Sequence, residues 1–210
     1  RRWLARSADP GWRFPDPERP YWRVPASPAP ALDRWGPTLF GSMLQEAALL
    51  DVWSGLDTGF DKHYDAIKGE LTFKESNLPA ILAQARVTVP VAIEVNQLID
   101  SLHMDDSHRR SVLEACRVAP ESSLVVVHGT DTMVETARVV GGAGLAKTVV
   151  FTGAMVPYAV QGSDALFNLG FALAMAQALP HGAYVAMNGR VFPWNDVRKN
   201  RETGAFEPLG

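Results

Sequence analysis

The sequence predicts an α/β fold in which a parallel sheet carries helices on both faces. "SLVVVHG" (123–129) is an unbroken apolar run rich in β-branched residues, the composition of a strand buried on both sides. "KTVVFTGA" (147–154) and "GAYVAMNG" (182–189) read as further strands. Between them lie two stretches of helical pattern, "TMVETARVVGGAG" (132–144) and "SDALFNLGFALAMAQAL" (163–179). Strand–helix–strand alternation of this kind sets parallel strands side by side with helices stacked over them, a Rossmann-like three-layer α/β/α architecture.

Taken in order, the chain begins with a different texture. The first 59 residues hold five of the six tryptophans, eight of the fifteen prolines, seven arginines and no lysine. Proline at this density blocks both helix and sheet ladders, so residues 1–38 read as an irregular Pro/Trp/Arg-rich segment that is not expected to belong to the fold. The domain is expected over 39–210. "LFGSMLQEAALL" (39–50) suits a short helix, and "LLDVW" a poor first strand because Asp51 interrupts it. "NLPAILAQAR" (77–86) reads as a helix and "VTVPVAIEV" (87–95) as a strand. "DDSHRRSVLEACRVA" (105–119) is amphipathic, with Val112, Leu113, Cys116 and Val118 apolar and an Asp-Asp-Ser start that suits a helix N-terminus.

Composition removes several function classes. A net charge of -3 offers no electrostatic reason to expect nucleic acid or an anionic membrane as partner. The single cysteine, Cys116, allows neither an internal disulfide nor a cysteine metal cluster, and fits a cytoplasmic setting. The longest apolar stretch, around Asn168, is too short to span a bilayer. The first residues have no apolar core of a secretory signal. His63, His103, His108, His128 and His181 show no ligand spacing, so no metal is expected, and His128 reads as a packed or hydrogen-bonded residue. No glycine-rich phosphate loop follows any strand, which disfavours a nucleotide-binding domain.

In a parallel sheet, ligands bind beyond the carboxyl ends of the strands. Thr130, Asp131 and Thr132 follow strand 123–129 at such an end. Thr132 and Glu135 have the spacing of a capping box and are read as one, which leaves Thr130 and Asp131 unexplained. Lys147 opens the next strand. Spacing alone leaves it either a solvated lysine or part of a Thr–Lys–Asp arrangement, in which a neutral amine takes the proton of a threonine hydroxyl. "VRKNRETG" (197–204) reads as a solvated turn, with an anion site as the alternative.

Four strings, "VVVHGTDTMVETA", "KTVVFTGAMVPY", "SDALFNLGFALAMAQALP" and "MNGRVFPWNDVRKNRETGAFE", resemble the bacterial-type L-asparaginase/glutaminase family, and in particular its short members that keep only the N-terminal domain. The likeness runs from about Phe60 to the end. It implies an amidohydrolase acting on the side-chain amide of a small amino acid through a threonine acyl-enzyme, with no cofactor. Thr130 would be the threonine of the Thr–Lys–Asp set. Asp131 would be its aspartate and would also hold the substrate's α-amino group, and Lys147 its proton-handling lysine. Ser101, in "SLHM", would bind the substrate's carboxylate. In full-length members the smaller domain of a neighbouring subunit completes the pocket, so a homo-oligomer is expected.

The chain departs from the family at its other signature, a Thr-Gly-Gly-Thr turn after the first strand whose last threonine attacks the amide. Here the stretch is "LLDVWSGLDTGFDKHYD" (49–65). The Asp-Lys half fits, but Gly59 occupies the nucleophile position and Thr58 is displaced by one residue. Tyr64 is expected in a loop over the site. An alternative reading follows from the slip: a catalytically silent member that binds an amino-acid amide.

Overall fold

The computed structural model describes residues 50–56, 62–65, 70–73, 76–99 and 101–210. Thr58, Gly59, the segment 1–38 that the sequence reads as irregular, and all but the last residue of the helix read over 39–50 lie outside the described residues.

The strands in order are β1 (Leu50–Leu56), β2 (Lys62–Asp65), β3 (Glu70–Phe73), β4 (Val91–Ile99), β5 (Ser123–Val127), β6 (Thr148–Thr152), β7 (Gly182–Met187), β8 (Arg190–Pro193), β9 (Arg198–Lys199) and β10 (Phe206–Glu207). The helices are α1 (Leu78–Gln84), α2 (Asp106–Val118), α3 (Met133–Gly142) and α4 (Ala165–Ala178). Six strands form one sheet in the order β4-β1-β5-β6-β7-β8, parallel except for β8. The expected parallel sheet with helices on both faces is thus present as a mostly parallel, mixed sheet.

Side chains along the strands show why both faces must be covered. Leu124 and Val126 of β5, Val149 and Phe151 of β6, and Val185 of β7 join Val112 and Cys116 of α2 and Met133, Ala137 and Val140 of α3. Their neighbours Val125, Val127, Val150 and Ala186 point the other way, onto Leu78 and Ile81 of α1 and Leu169 and Ala172 of α4. Alternate residues face opposite sides of a strand, so an unbroken apolar run fills two cores at once.

Several elements differ from the sequence reading. β1 runs straight through Asp51 and is central, pairing with β4 on one side and β5 on the other. Ladder bonds on both edges outweigh a weak local pattern. β4 starts at Val91 rather than at Val87, because Pro90 has no amide hydrogen to give the ladder. Strand 182–189 is cut short by a tight turn. Asn188 and Gly189 have φ of 49° and 81°, the two positive values that a two-residue hairpin turn requires, and the chain returns as β8. Tyr64, expected in a loop, lies in β2, paired with Leu71 of β3. No helix among the described residues is long and apolar enough to cross a membrane.

Candidate functional site

The strand order reverses direction at β1, which has β4 on one flank and β5 on the other. Ligands in open α/β sheets bind in the crevice at such a switch point, outside the carboxyl ends of the strands. The residues after β4 and β5 therefore flank this switch point: Ser101 begins a 3₁₀ turn after β4, and His128 to Thr132 form the corner after β5.

His128 anchors that corner from below. Its amide donates to the Thr152 carbonyl at 2.8 Å, carrying the β5–β6 pairing one residue past the strand. Its ring is wholly buried. Nδ1 lies 2.7 Å from the Gly129 carbonyl oxygen, which can only accept, so Nδ1 carries the proton. Nε2 then accepts from the Thr136 hydroxyl at 2.7 Å. Burial holds the imidazole pKa down to about 4, outweighing the Gly129 hydrogen bond that favours the charged form, and the Arg109 charge lowers it further. The unfolded ring, near 6.5, binds a proton where the folded ring does not. Stability from this residue is complete above that value and falls as pH drops through the window toward 4. Urea unfolding at pH 5 should show about 2 kcal/mol less stability than at pH 7 from this group. A His128→Asn variant that loses as much stability over the same interval as the parent would sink this assignment.

β6 presses on the same corner. A Cβ at Gly153 would collide with the His128 carbonyl oxygen and stand 3.3 Å from Thr130 Cγ2, so only glycine lets the two loops approach. Gly153 is held in turn by Asn168, whose Nδ2 donates to its carbonyl at 2.9 Å and to Asp164 Oδ2 at 2.8 Å. Asp164 also accepts from the amides of Met155 and Val156, each at 3.0 Å to Oδ1. Asn168 is a buried polar residue in the first turn of a helix that is otherwise apolar up to Gln177.

Above the corner lies the β9–β10 hairpin. Val197 and Phe206 are buried in the first core and pin the hairpin to the domain. The Asn200 side chain accepts from the amides of Glu202 and Thr203 and closes the turn. Alternation along the strand sends Arg198 outward to Glu207 and Lys199 inward. Lys199 Nζ donates to Thr130 Oγ1 at 2.8 Å and to Asp131 Oδ1 at 2.7 Å, with 11% of its side chain exposed.

The structure thus brings together Thr130, Asp131 and a lysine, but the lysine is Lys199, in the stretch read as a solvated turn. Lys147, expected there, is elsewhere. It precedes β6 at the level of Ser122, five residues or roughly 16 Å of strand below the end of β5. Its Nζ donates to the carbonyl oxygens of Arg117 and Ala119 at the carboxyl end of α2. The physical reason is plain: a residue that precedes a parallel strand sits at the amino edge of the sheet, opposite the ligand edge.

The capping reading of Thr132 is also overturned. Thr132 stands at the N-cap of α3, yet its side chain makes no cap bond. Its hydroxyl donates to the Ser101 carbonyl at 2.9 Å instead. Ser101 is fully buried, and its own hydroxyl has no hydrogen-bond partner among the described residues. A buried polar atom without a protein partner is uncommon and calls for an explanation. Among the described residues no cluster of three or more His, Cys, Asp or Glu side chains could hold a metal ion.

Comparison with known proteins gives the same region a context. The sequence model of the family described as "Asparaginase, N-terminal" matches residues 60–207. The glutaminase-asparaginase of Acinetobacter glutaminasificans is 35% identical over 103 residues, which are 46% of this chain and 31% of that protein. The glutaminase-asparaginase of Pseudomonas fluorescens biotype A is 33% identical over 111 residues, 48% of this chain and 31% of that protein. The crystal structure of L-asparaginase I from Vibrio cholerae superposes with a TM-score of 0.66 at 23% identity, covering 77% of this chain and 51% of that one; it speaks for the fold alone. The matched part spans about a third of the length of the two glutaminase-asparaginases.

Proposed function

We propose a side-chain amidohydrolase activity from the premise that this chain belongs to the asparaginase family, whose N-terminal-domain model it matches over residues 60–207. The observation that carries the proposal is the double contact of Lys199 Nζ with Thr130 Oγ1 and Asp131 Oδ1, at 2.8 and 2.7 Å. A hydroxyl and a carboxylate joined through one amine are the parts of a proton relay. With Lys199 as the acceptor, the Thr130 proton passes to Nζ across the same contact, and the Asp131 carboxylate stabilises the ammonium that forms. The Thr130 oxygen then accepts the proton of the attacking hydroxyl.

That hydroxyl belongs to a threonine after β1 in the first step and to water in the second. The threonine oxygen bonds to the amide carbon, ammonia leaves with the relayed proton, and the resulting ester is hydrolysed to the acid. In this reading the open Ser101 hydroxyl binds the α-carboxylate of the substrate, and Asp131 Oδ2 receives the α-amino group. Asparagine, glutamine or a related small amide fits these contacts. Thr58 is the threonine available after β1, and its one-residue displacement favours the second reading, a member that binds the amide but scarcely cleaves it. No metal or cofactor takes part in either.

The test is ammonia release from L-asparagine and L-glutamine by the purified chain. Thr130→Ala should cut the release by roughly 10²–10⁴-fold, the usual worth of a positioned proton carrier. Release that survives this substitution rules out the relay. Calorimetric binding of L-aspartate without ammonia release selects the silent binder.

A further inference from the structure

We infer that Thr132 is a positioning residue that sets the height of the carboxylate-binding turn, and so helps to determine that the substrate carries an α-carboxylate. The inference rests on the reading of Ser101 given above. A threonine at a helix N-cap ordinarily gives its side-chain oxygen to the second or third amide of the helix, and losing that bond costs about 1 kcal/mol. Thr132 forgoes it: α3 has no side-chain cap bond, and the hydroxyl reaches 2.9 Å to the carbonyl of Ser101, 31 residues earlier.

The bond crosses a gap. In the sheet order β4-β1-β5, the loops carrying Ser101 and Thr132 are separated by β1, two strand spacings or about 10 Å at strand level. The two loops therefore lean toward each other over the end of β1, where the attacking group of the proposed reaction must enter.

The rest of the turn is locked from the α2 side. Asp105 caps α2 by accepting from the amides of Ser107 at 2.8 Å and His108 at 3.1 Å, and the His108 ring accepts from the Asp105 amide. The Met104 amide donates back to the Ser101 carbonyl at 3.2 Å, the same oxygen that Thr132 holds. The α2 cap fixes where the turn ends, while Thr132 fixes how far its first residue stands from Thr130 and Asp131. Because Thr132 directly follows Asp131, one short segment controls both ends of a small amino acid: Asp131 the α-amino group, and Thr132 through Ser101 the carboxylate.

The experiment compares two ligands with the full chain, L-asparagine and 3-aminopropanamide, which is the same molecule without the α-carboxylate. The quantity read is the ratio of their affinities, by calorimetry. Thr132→Val keeps the shape and removes the donor, and should narrow the ratio roughly tenfold, the worth of one well-made polar contact. Thr132→Ser should keep the parental ratio. Ser101→Ala should narrow the ratio at least as far, and the double variant should add little, since the two residues act on one contact. A ratio unchanged in Thr132→Val but narrowed in Ser101→Ala overturns the inference and leaves the Ser101 reading intact. A ratio unchanged in both overturns the Ser101 reading and the inference with it. Each variant is first checked for a cooperative melt, with Thr132→Ala as the substitute should the valine variant not fold. Failure of both to fold, with Thr132→Ser folded, makes the hydroxyl a folding requirement and overturns the positioning role.

Discussion

Replacing Lys199 by methionine should lower ammonia release by roughly 10²–10⁴-fold, whereas replacing Lys147 by methionine should leave the rate within a few fold of the parent. The two substitutions are chemically identical and separate the two ends of the sheet. Methionine keeps most of the lysine stem, so packing around Val197 and Phe206 is preserved while the amine facing Thr130 and Asp131 is lost. At Lys147 the amine serves two backbone carbonyls at the end of α2, and its loss should appear as about 1–2 kcal/mol of stability instead. Rates and urea unfolding measured on both variants decide the matter. A Lys147 variant that unfolds normally but no longer releases ammonia would reverse the assignment.

That contrast also shows where the sequence stops being informative. The strands around Val125, Val150 and Val185 were legible because each is buried on both faces, and an unbroken apolar run has few other uses. The corner at Thr130 and Asp131 was legible because it follows such a strand, and the motif around it is specific. Lys199 was not, since "VRKNRETG" has no periodicity, and its two-residue strand exists only because Val197 and Phe206 find a core built by distant residues. Lys147 is a different case. Chain direction alone puts a residue that precedes a parallel strand at the amino edge, so the topology already argued against it. The Asn-Gly turn before β8 is likewise readable in the sequence, where it ends the strand at Met187. For Thr132 the local spacing was correct for a cap, but a tertiary acceptor on Ser101 competed for the same hydroxyl. No local pattern could register that competition.

The largest effect is expected at the turn after β1. Rebuilding residues 56–59, Leu-Asp-Thr-Gly in this chain, as Thr-Gly-Gly-Thr should raise the rate of ammonia release by orders of magnitude. β1 is central, and Ser101 and Thr130 follow the strands on either side of it, so on the proposed reading the attacking group is sought in the stretch that follows Leu56. Attack needs the oxygen within about 3–3.5 Å of the amide carbon and aligned with it. A slip of one residue in a tight turn changes both distance and direction. Thr130, Asp131 and Lys199 would still bind and polarise the amide, and hydrolases stripped of their nucleophile retain only roughly 10³–10⁴-fold acceleration over water. On the proposed reading, the contacts of Lys199 with Thr130 and Asp131 supply the relay, and the rebuilt turn would supply the attacking hydroxyl. Affinity for L-aspartate should change little on rebuilding, because Ser101 and Asp131 are untouched, so the gain should fall on kcat. An unmodified chain that already turns over at an ordinary enzyme rate, and loses that rate on Thr58→Ala, would show that Thr58 reaches the amide from its displaced position and that the slip does not disable the site.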